Sequence, residues 1–192
     1  MLSTWPVCST TVRGRHLNSS QIGRDVLAIR GVRDFHGTHY TLENAPGLPK
    51  PVQQPHPPIL VGGSGKRGTV EPALRFADEY NAPFVGPDEA AAIRARVASL
   101  RFSVMTGCVI GATHDDALDR ARQLYGRVAR DIDFDTWLAR YRERALVGSV
   151  DEVAARLGDY EAAGCDRVML QHLLHADLEP VRLIGRLGQE LV

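Results

Sequence analysis

The chain has 192 residues, enough for one domain with a sizeable core, and its 44% hydrophobic and 24% charged residues make an ordinary globular composition. Its 23 basic residues balance 23 acidic ones, so no net field draws it to nucleic acid or an anionic membrane, and no stretch nears the ~20 apolar residues of a membrane span. Three widely spaced cysteines, Cys8, Cys108 and Cys165, give neither a disulfide framework nor a CxxC metal motif; with no basic leader or apolar core over residues 1–6, the expected setting is the reducing cytoplasm.

Residues 1–24 mix Ser, Thr, Arg and Gly without a period of 2 or 3.6 and read as a disordered or poorly specified start. Residues 25–33 allow a short helix, and residues 35–42 alternate as a short ribbon. Residues 44–58 hold Pro46, Pro49, Pro51, Pro55, Pro57 and Pro58, which suits an extended surface connection and neither helix nor central strand. Ile59-Leu60-Val61 is then a wholly apolar run closed by Gly62-Gly63, the pattern of a strand buried on both faces. A helix follows over 70–80, with Ala73, Leu74, Ala77 and Tyr80 on one face. Further strands are expected over 82–85, 102–110 and 167–170, and further helices over 88–99, 113–130, 134–146, 150–163 and 178–191. Thr113 with Asp116, and Ser149 with Glu152, are spaced as N-cap and N3 partners; Gly164 supplies a helix stop and Asp177 a cap. Strands alternating with helices in this order mean parallel strands joined by right-handed helical crossovers, an α/β fold. The helix over 88–99 meets the strand at Phe102 with almost no loop, shorter than the usual ~2–6 residues.

The stretch Gly62-Gly63-Ser64-Gly65-Lys66-Arg67-Gly68-Thr69 between strand and helix is the most informative. Glycines let backbone N–H groups turn toward an anion without a Cβ in the way, and a helix start adds partial positive charge beside Lys66 and Arg67. Lys66 and Lys50 are the only lysines in an arginine-rich chain. A Walker loop fails, because Leu60 stands where its first glycine belongs and Arg67 follows Gly65-Lys66 in place of Ser or Thr. Gly63 to Gly68 does fit the G-x-G-x-x-G of a Rossmann turn binding NAD(P), with Asp88 about 20 residues on. In that motif Pro72 would fall in the helix's second turn, at a cost of ~3 kcal/mol, whereas a helix opening at Thr69 puts it harmlessly in the first. Two other readings stand beside it: a phosphate loop at the C-terminal end of a strand in a (β/α)8 barrel, and a glycine-rich turn that binds nothing, with Lys66 and Arg67 solvated.

Several segments resemble one family. Residues 49–63, Pro-Lys-Pro-Val-Gln-Gln-Pro-His-Pro-Pro-Ile-Leu-Val-Gly-Gly, resemble the segment before the fifth barrel strand of luciferase-like monooxygenases, particularly their coenzyme F420-dependent branch. Ala77-Asp78-Glu79-Tyr80-Asn81 is similar to the family's A-D-x-W-N stretch entering the sixth strand, with Tyr80 in place of tryptophan. Residues 35–42 resemble its F-x-G-x-x-Y-x-L hairpin, and residues 148–153 and 164–170 resemble the helix and strand that close the barrel. The resemblance covers residues 25–192, as an insertion ribbon and proline-rich connection over 25–58 and βα units over 59–192. It implies the C-terminal half of a (β/α)8 TIM barrel, strands five to eight. It also implies a cofactor, F420 or alternatively FMN, whose phosphate rests on Gly63, Gly65, Lys66, Gly68 and Thr69, with Asn81 facing the ring or substrate pocket. Three departures accompany it. The family's first four strands, which carry most catalytic groups, should precede residue 25, where there is no room for them. About a dozen residues are missing before Phe102, and residues 1–24 match nothing.

Outside the loop, His172 lies just past the eighth strand, at the end where barrel sites form, and is a candidate polar pocket residue. His36 with His39, and His172 with His175, are H-x-x-H pairs without the further ligands zinc requires, so no metal is expected. Cys108 reads as a small buried hydrophobe, Met105, Met169, Trp137 and Tyr141 as core, and Arg120, Arg122, Arg127 and Arg130 as a solvated face. The expectation is a piece of a flavin- or F420-dependent oxidoreductase, acting by monooxygenation or hydride transfer, with no catalytic residue assigned. The alternative, from another class, is a non-catalytic half-barrel that pairs with itself or with a complementary half, because four parallel strands leave two open edges.

Overall fold

The structure is a computed structural model that describes residues 33–37, 41–128 and 131–190. Residues 1–24, the helix expected over 25–33 except its last residue Arg33 (which lies in a strand), His39, Arg130 and Leu191 lie outside the described residues. The chain divides into two compact units, Met1–Asn81 with Ser99–Arg101, and Ala82–Ala98 with Phe102–Val192. No described helix is long and apolar enough to cross a membrane.

In the first unit, β1 (Arg33–His36) and β2 (Thr41–Ala45) form the antiparallel ribbon, with Phe35 opposite Leu42 and a register shift between Arg33 and Phe35. After the proline-rich connection come β3 (Leu60–Gly62), α1 (Arg67–Phe76) and β4 (Glu79–Pro83), β4 being the strand in which the division between units falls. β3 and β4 run parallel, Leu60 opposite Glu79, Val61 opposite Tyr80 and Gly62 opposite Asn81. Asp78 joins them on both sides: its Oδ2 accepts from the Ile59 N–H at 2.7 Å, and its own N–H donates to the Ile59 carbonyl at 2.8 Å.

α1 differs from the expected helix at both ends. It opens at Arg67, because Lys66 is an extended N-cap whose carbonyl accepts from Val70 and Thr69 N–H. It stops at Phe76, with Ala77 as cap, so Tyr80 belongs to β4 and is fully buried there rather than on a helix face. Leu74 is exposed, and the buried face of α1 is Val70 and Ala73. Pro72 lies inside the helix and not in its first turn, so its position does not argue against a Rossmann turn.

The second unit holds α2 (Pro87–Arg96), α3 (His114–Val128), α4 (Phe134–Arg142), β6 (Leu146–Ser149), α5 (Val150–Ala162), β7 (Arg167–Gln171) and α6 (Glu179–Glu190), together with all of β5 (Arg101–Gly111) past its first residue. β5 pairs in parallel with β7 over Ser103–Gly107 and with β6 over Cys108–Gly111. Phe102, Val104, Cys108, Val109 and Ile110 are all buried, and so are the small polar Ser103 and Thr106, so β5 is covered on both faces. α2 stops at Arg96, so four residues, 97–100, connect it to β5, an ordinary short loop in place of the almost absent one expected between 99 and 102. β6 was not expected. Its four residues follow α4 after three others, and apolar Ala145 and Leu146 extend the helical period of Trp137, Leu138 and Tyr141, which hides a strand so short. The Trp137 and Tyr141 rings stack at 4.8 Å, and Trp137 and Leu138 pack with Val109, Ala121, Leu124 and Leu174 in one apolar cluster.

The caps form as the sequence implies. Ser149 and Glu152 make a reciprocal capping box, the Thr113 and Asp116 side chains each accept from the other's backbone N–H, and Gly164 takes a φ of 82° past α5. Asp133 caps α4 through the Thr136 N–H at 2.9 Å. Three carboxyls are held below their ordinary range by these contacts: Asp133 by the Thr136 amide, Glu152 by His114 and then the Ser149 amide, and Asp177 by Arg120 and then the Glu179 amide. A depressed folded pKa adds stability above the unfolded value that disappears as pH falls through the folded one. The melting temperature is therefore expected to hold from pH 7 to about 5 and fall below about pH 4. Asp177→Asn should lose less on acidification than the parent chain; an equal loss in thermal scans at pH 6 and pH 3 counts against this assignment.

Candidate functional site

The glycine loop follows β3, so it sits at the C-terminal end of that strand, where α/β folds place ligands. Its residues divide by the direction in which their polar groups point. Gly63 donates its N–H to the Asn81 carbonyl at 3.0 Å, which continues the β3–β4 ladder by one residue. A Cβ on Gly63 would lie 2.5, 2.7 and 2.8 Å from Oγ1, Cβ and Cγ2 of Thr69, so Thr69 packs where any other side chain would stand. Gly65 takes a φ of 70°, a region glycine enters freely, and is buried. Its N–H, expected to face an anion, instead donates inward to the Tyr80 hydroxyl at 3.0 Å. The loop's centre is therefore turned toward the protein.

Outward-facing donors begin one residue later. Lys66 is exposed, and its side chain has no hydrogen-bond or ion-pair partner among the described residues. The helix bonds start with the Val70 N–H, leaving the Arg67 and Gly68 amides as open first-turn donors. The Arg67 guanidinium is engaged along the helix with Glu71 at 2.6 Å. Gly68 is exposed, and a Cβ there would meet nothing within 4 Å, so its Cα side is open to solvent. Gly63, Gly65, Lys66, Gly68 and Thr69 thus come together as expected, but only Lys66 and Gly68 present donors to solvent; Gly63, Gly65 and Thr69 build the turn. Tyr80 is the residue that sequence reasoning missed, because its partners stand 11 and 15 positions back in the chain.

Asn81 is almost fully buried, at 6% exposure, beside the loop in β4. His172 belongs to the second unit. It follows β7 directly, and its Nε2 lies 2.7 Å from the Asp177 carbonyl. There it packs in a tight crevice, without room for a water molecule, beside Cys108, Arg120, Tyr141 and Leu174. Arg120 departs from its expected place on a solvated face: its side chain is mostly buried and bonded to Asp177 at 2.7 Å. Burial pushes the Cys108 thiol up to about 12 and the Cys165 thiol up to about 11, so both stay protonated at neutral pH and neither suits a nucleophile. Phe84, just past β4, holds a φ of 55°, an unusual conformation for a bulky residue.

Against known proteins, the model of the family described as luciferase-like monooxygenase matches residues 15–167. Among solved structures, a monooxygenase from Streptomyces bottropensis is 21% identical with a TM-score of 0.60, covering 80% of this chain and 52% of its own. An F420-dependent secondary alcohol dehydrogenase solved with an F420-acetone adduct is 14% identical, TM-score 0.62, covering 80% and 54%. A coenzyme F420-dependent tetrahydromethanopterin reductase from Methanopyrus kandleri is 13% identical, TM-score 0.63, covering 88% and 60%. The chain spans just over half the length of these structures, and at such identities the likeness establishes the fold, part of a luciferase-like (β/α)8 barrel.

Proposed function

Because this chain belongs to the luciferase-like monooxygenase family, we propose that its β3–loop–α1 unit is the phosphate seat of a flavin or deazaflavin cofactor, and that the chain serves an oxidoreductase of that kind. The observation that supports this reading is the set of donors at the start of α1: two open first-turn amides, an exposed Gly68, and a Lys66 ammonium with no partner among the described residues. Two N–H dipoles at a helix N-terminus and one adjacent cation are the donor set that holds a phosphate. Gly63, Gly65 and Thr69 contribute by shaping the turn. The shared chemistry is the phosphate of either cofactor; F420 is preferred over FMN because residues 49–63 resemble the F420 branch most. Asn81 is assigned to the ring or substrate side of the loop's own unit, and His172 to a polar role in the crevice it lines. A bound flavin or deazaflavin supplies the hydride or oxygen chemistry, and the protein's part is to seat and orient it.

Titration of the chain with F420 and with FMN, read by fluorescence or calorimetry, tests the assignment. Lys66→Ala is expected to weaken binding of the preferred cofactor about three- to tenfold, an effect that shrinks as salt is added, as befits one solvent-exposed charge on a phosphate. If neither cofactor binds at high micromolar concentration, the reading fails. A second reading, a half-barrel that acts by pairing with itself or a complementary chain, is favoured by one observation. Among the described residues β3 pairs only with β4 and β7 only with β5, so each has an edge open to another strand. A sedimentation run giving only monomer at all concentrations disfavours self-pairing.

A further inference from the structure

We infer that Tyr80 is the positioning residue of the phosphate loop and that Thr69 serves the cofactor through it rather than by touching it; the inference rests on the cofactor reading above. Four groups form a chain of hydrogen bonds. The Gly65 N–H lies 3.0 Å from the Tyr80 hydroxyl, that hydroxyl 2.8 Å from Thr69 Oγ1, and Oγ1 3.0 Å from the Lys66 carbonyl. The two ends fix the direction. An amide can only donate and a carbonyl can only accept, so Thr69 gives its one proton to Lys66 and must accept from Tyr80, which gives Thr69 its own proton and accepts from Gly65. Every hydroxyl proton is thereby committed inside the protein. Thr69 has none left to offer a phosphate oxygen, although its place in the loop makes it look like a ligand.

The chain runs from a fully buried ring in β4 to the carbonyl of Lys66, the N-cap of α1. That carbonyl also accepts from Thr69 and Val70 N–H at 2.9 and 3.0 Å. Three donors therefore converge on the one peptide unit that sets where the Lys66 side chain leaves the loop and where the first open amides of α1 point. Tyr80 holds the other end of this arrangement through Gly65, at the φ of 70° that turns the backbone inward. Its hydroxyl is buried within the loop and needs no contact with a ligand. Removing it takes the Tyr80 acceptor from the buried Gly65 amide and the donor from the Thr69 hydroxyl, so the loop loosens without losing any group that faces the phosphate.

Three variants separate positioning from contact: Tyr80→Phe, which keeps the ring and deletes the oxygen, Thr69→Val, which keeps the shape and deletes the hydroxyl, and Thr69→Ser, which restores it. Affinity for FMN and for F420 is expected to fall about tenfold in Tyr80→Phe and Thr69→Val and to stay within about twofold in Thr69→Ser, as for loss of one buried hydrogen bond. Hydrogen exchange gives a readout independent of binding: the Gly65 amide should exchange about tenfold faster in Tyr80→Phe while amides of β5 do not change. Parent-like affinity and unchanged Gly65 exchange in Tyr80→Phe overturn the inference, as does Thr69→Ser losing as much as Thr69→Val. Binding of neither cofactor by the parent chain is a different result, which removes the cofactor reading and the positioning role with it.

Discussion

Alanine at Gly63 is expected to weaken FMN or F420 binding by about thirtyfold or more, roughly 2 kcal/mol. The added methyl would stand 2.5–2.8 Å from three Thr69 atoms, two of them carbons near the backbone that cannot swing away. Thr69 is bonded to both Tyr80 and Lys66, so it cannot move alone; the first turn of α1 must shift with it, and with that turn the Arg67 and Gly68 amides and the Lys66 side chain. Gly62 is the control. A Cβ there meets only the Asn81 carbonyl, at 3.8 Å, an ordinary contact, so Gly62→Ala should bind as the parent does. Equal affinities for the two variants, with unchanged circular dichroism, count against the loop as the phosphate seat.

Gly111→Ala is expected to cost about 3 kcal/mol of stability, which for a chain of this size lowers the melting temperature by about 6–12 °C. Gly111 ends β5 directly beneath the first turn of α3. Its Cβ would press on the Ala117 amide, lie 2.6 Å from the Thr113 carbonyl and 2.7 Å from Asp116 Cβ. Two of these are backbone atoms, and all three belong to the turn that the Thr113–Asp116 capping box holds in place. The strain has nowhere to go but into the β5–β6 ladder, where Gly111 pairs with Ser149. Gly158→Ala reverses the sign. It lies inside α5 with open space around it, so alanine there should add about 0.5–1 kcal/mol. Thermal or urea unfolding of both variants settles the matter; a Gly111→Ala protein as stable as the parent is the adverse result.

What the sequence makes legible here is what is local. The capping pairs Ser149–Glu152 and Thr113–Asp116, the helix stop at Gly164 and the strand over 102–110 each depend on neighbours within a few residues, and each forms as read. The glycine loop is legible as a loop, between a strand and a helix, for the same reason. The inward turn of the Gly65 amide is not, because its acceptor arrives from the next strand. Tyr80 misleads for a related reason. Its spacing from Ala73 and Ala77 fits a helix face, but the chain leaves the helix at Ala77, where Asp78 exchanges two hydrogen bonds with Ile59, a tertiary tie with no local signature. Arg120 follows the same logic, reading as solvent-facing until Asp177, 57 residues on, draws it in.

β5 takes two neighbours in succession, β7 along Ser103–Gly107 and β6 along Cys108–Gly111, with no gap between the two stretches. Loss of either neighbour bares polar backbone on a strand whose side chains are mostly buried, so opening there leaves hydrogen-bonding groups unmet at once. Opening of the larger unit is thus expected to cost most along β5, with the easier excursions left to the helices and strand ends around it.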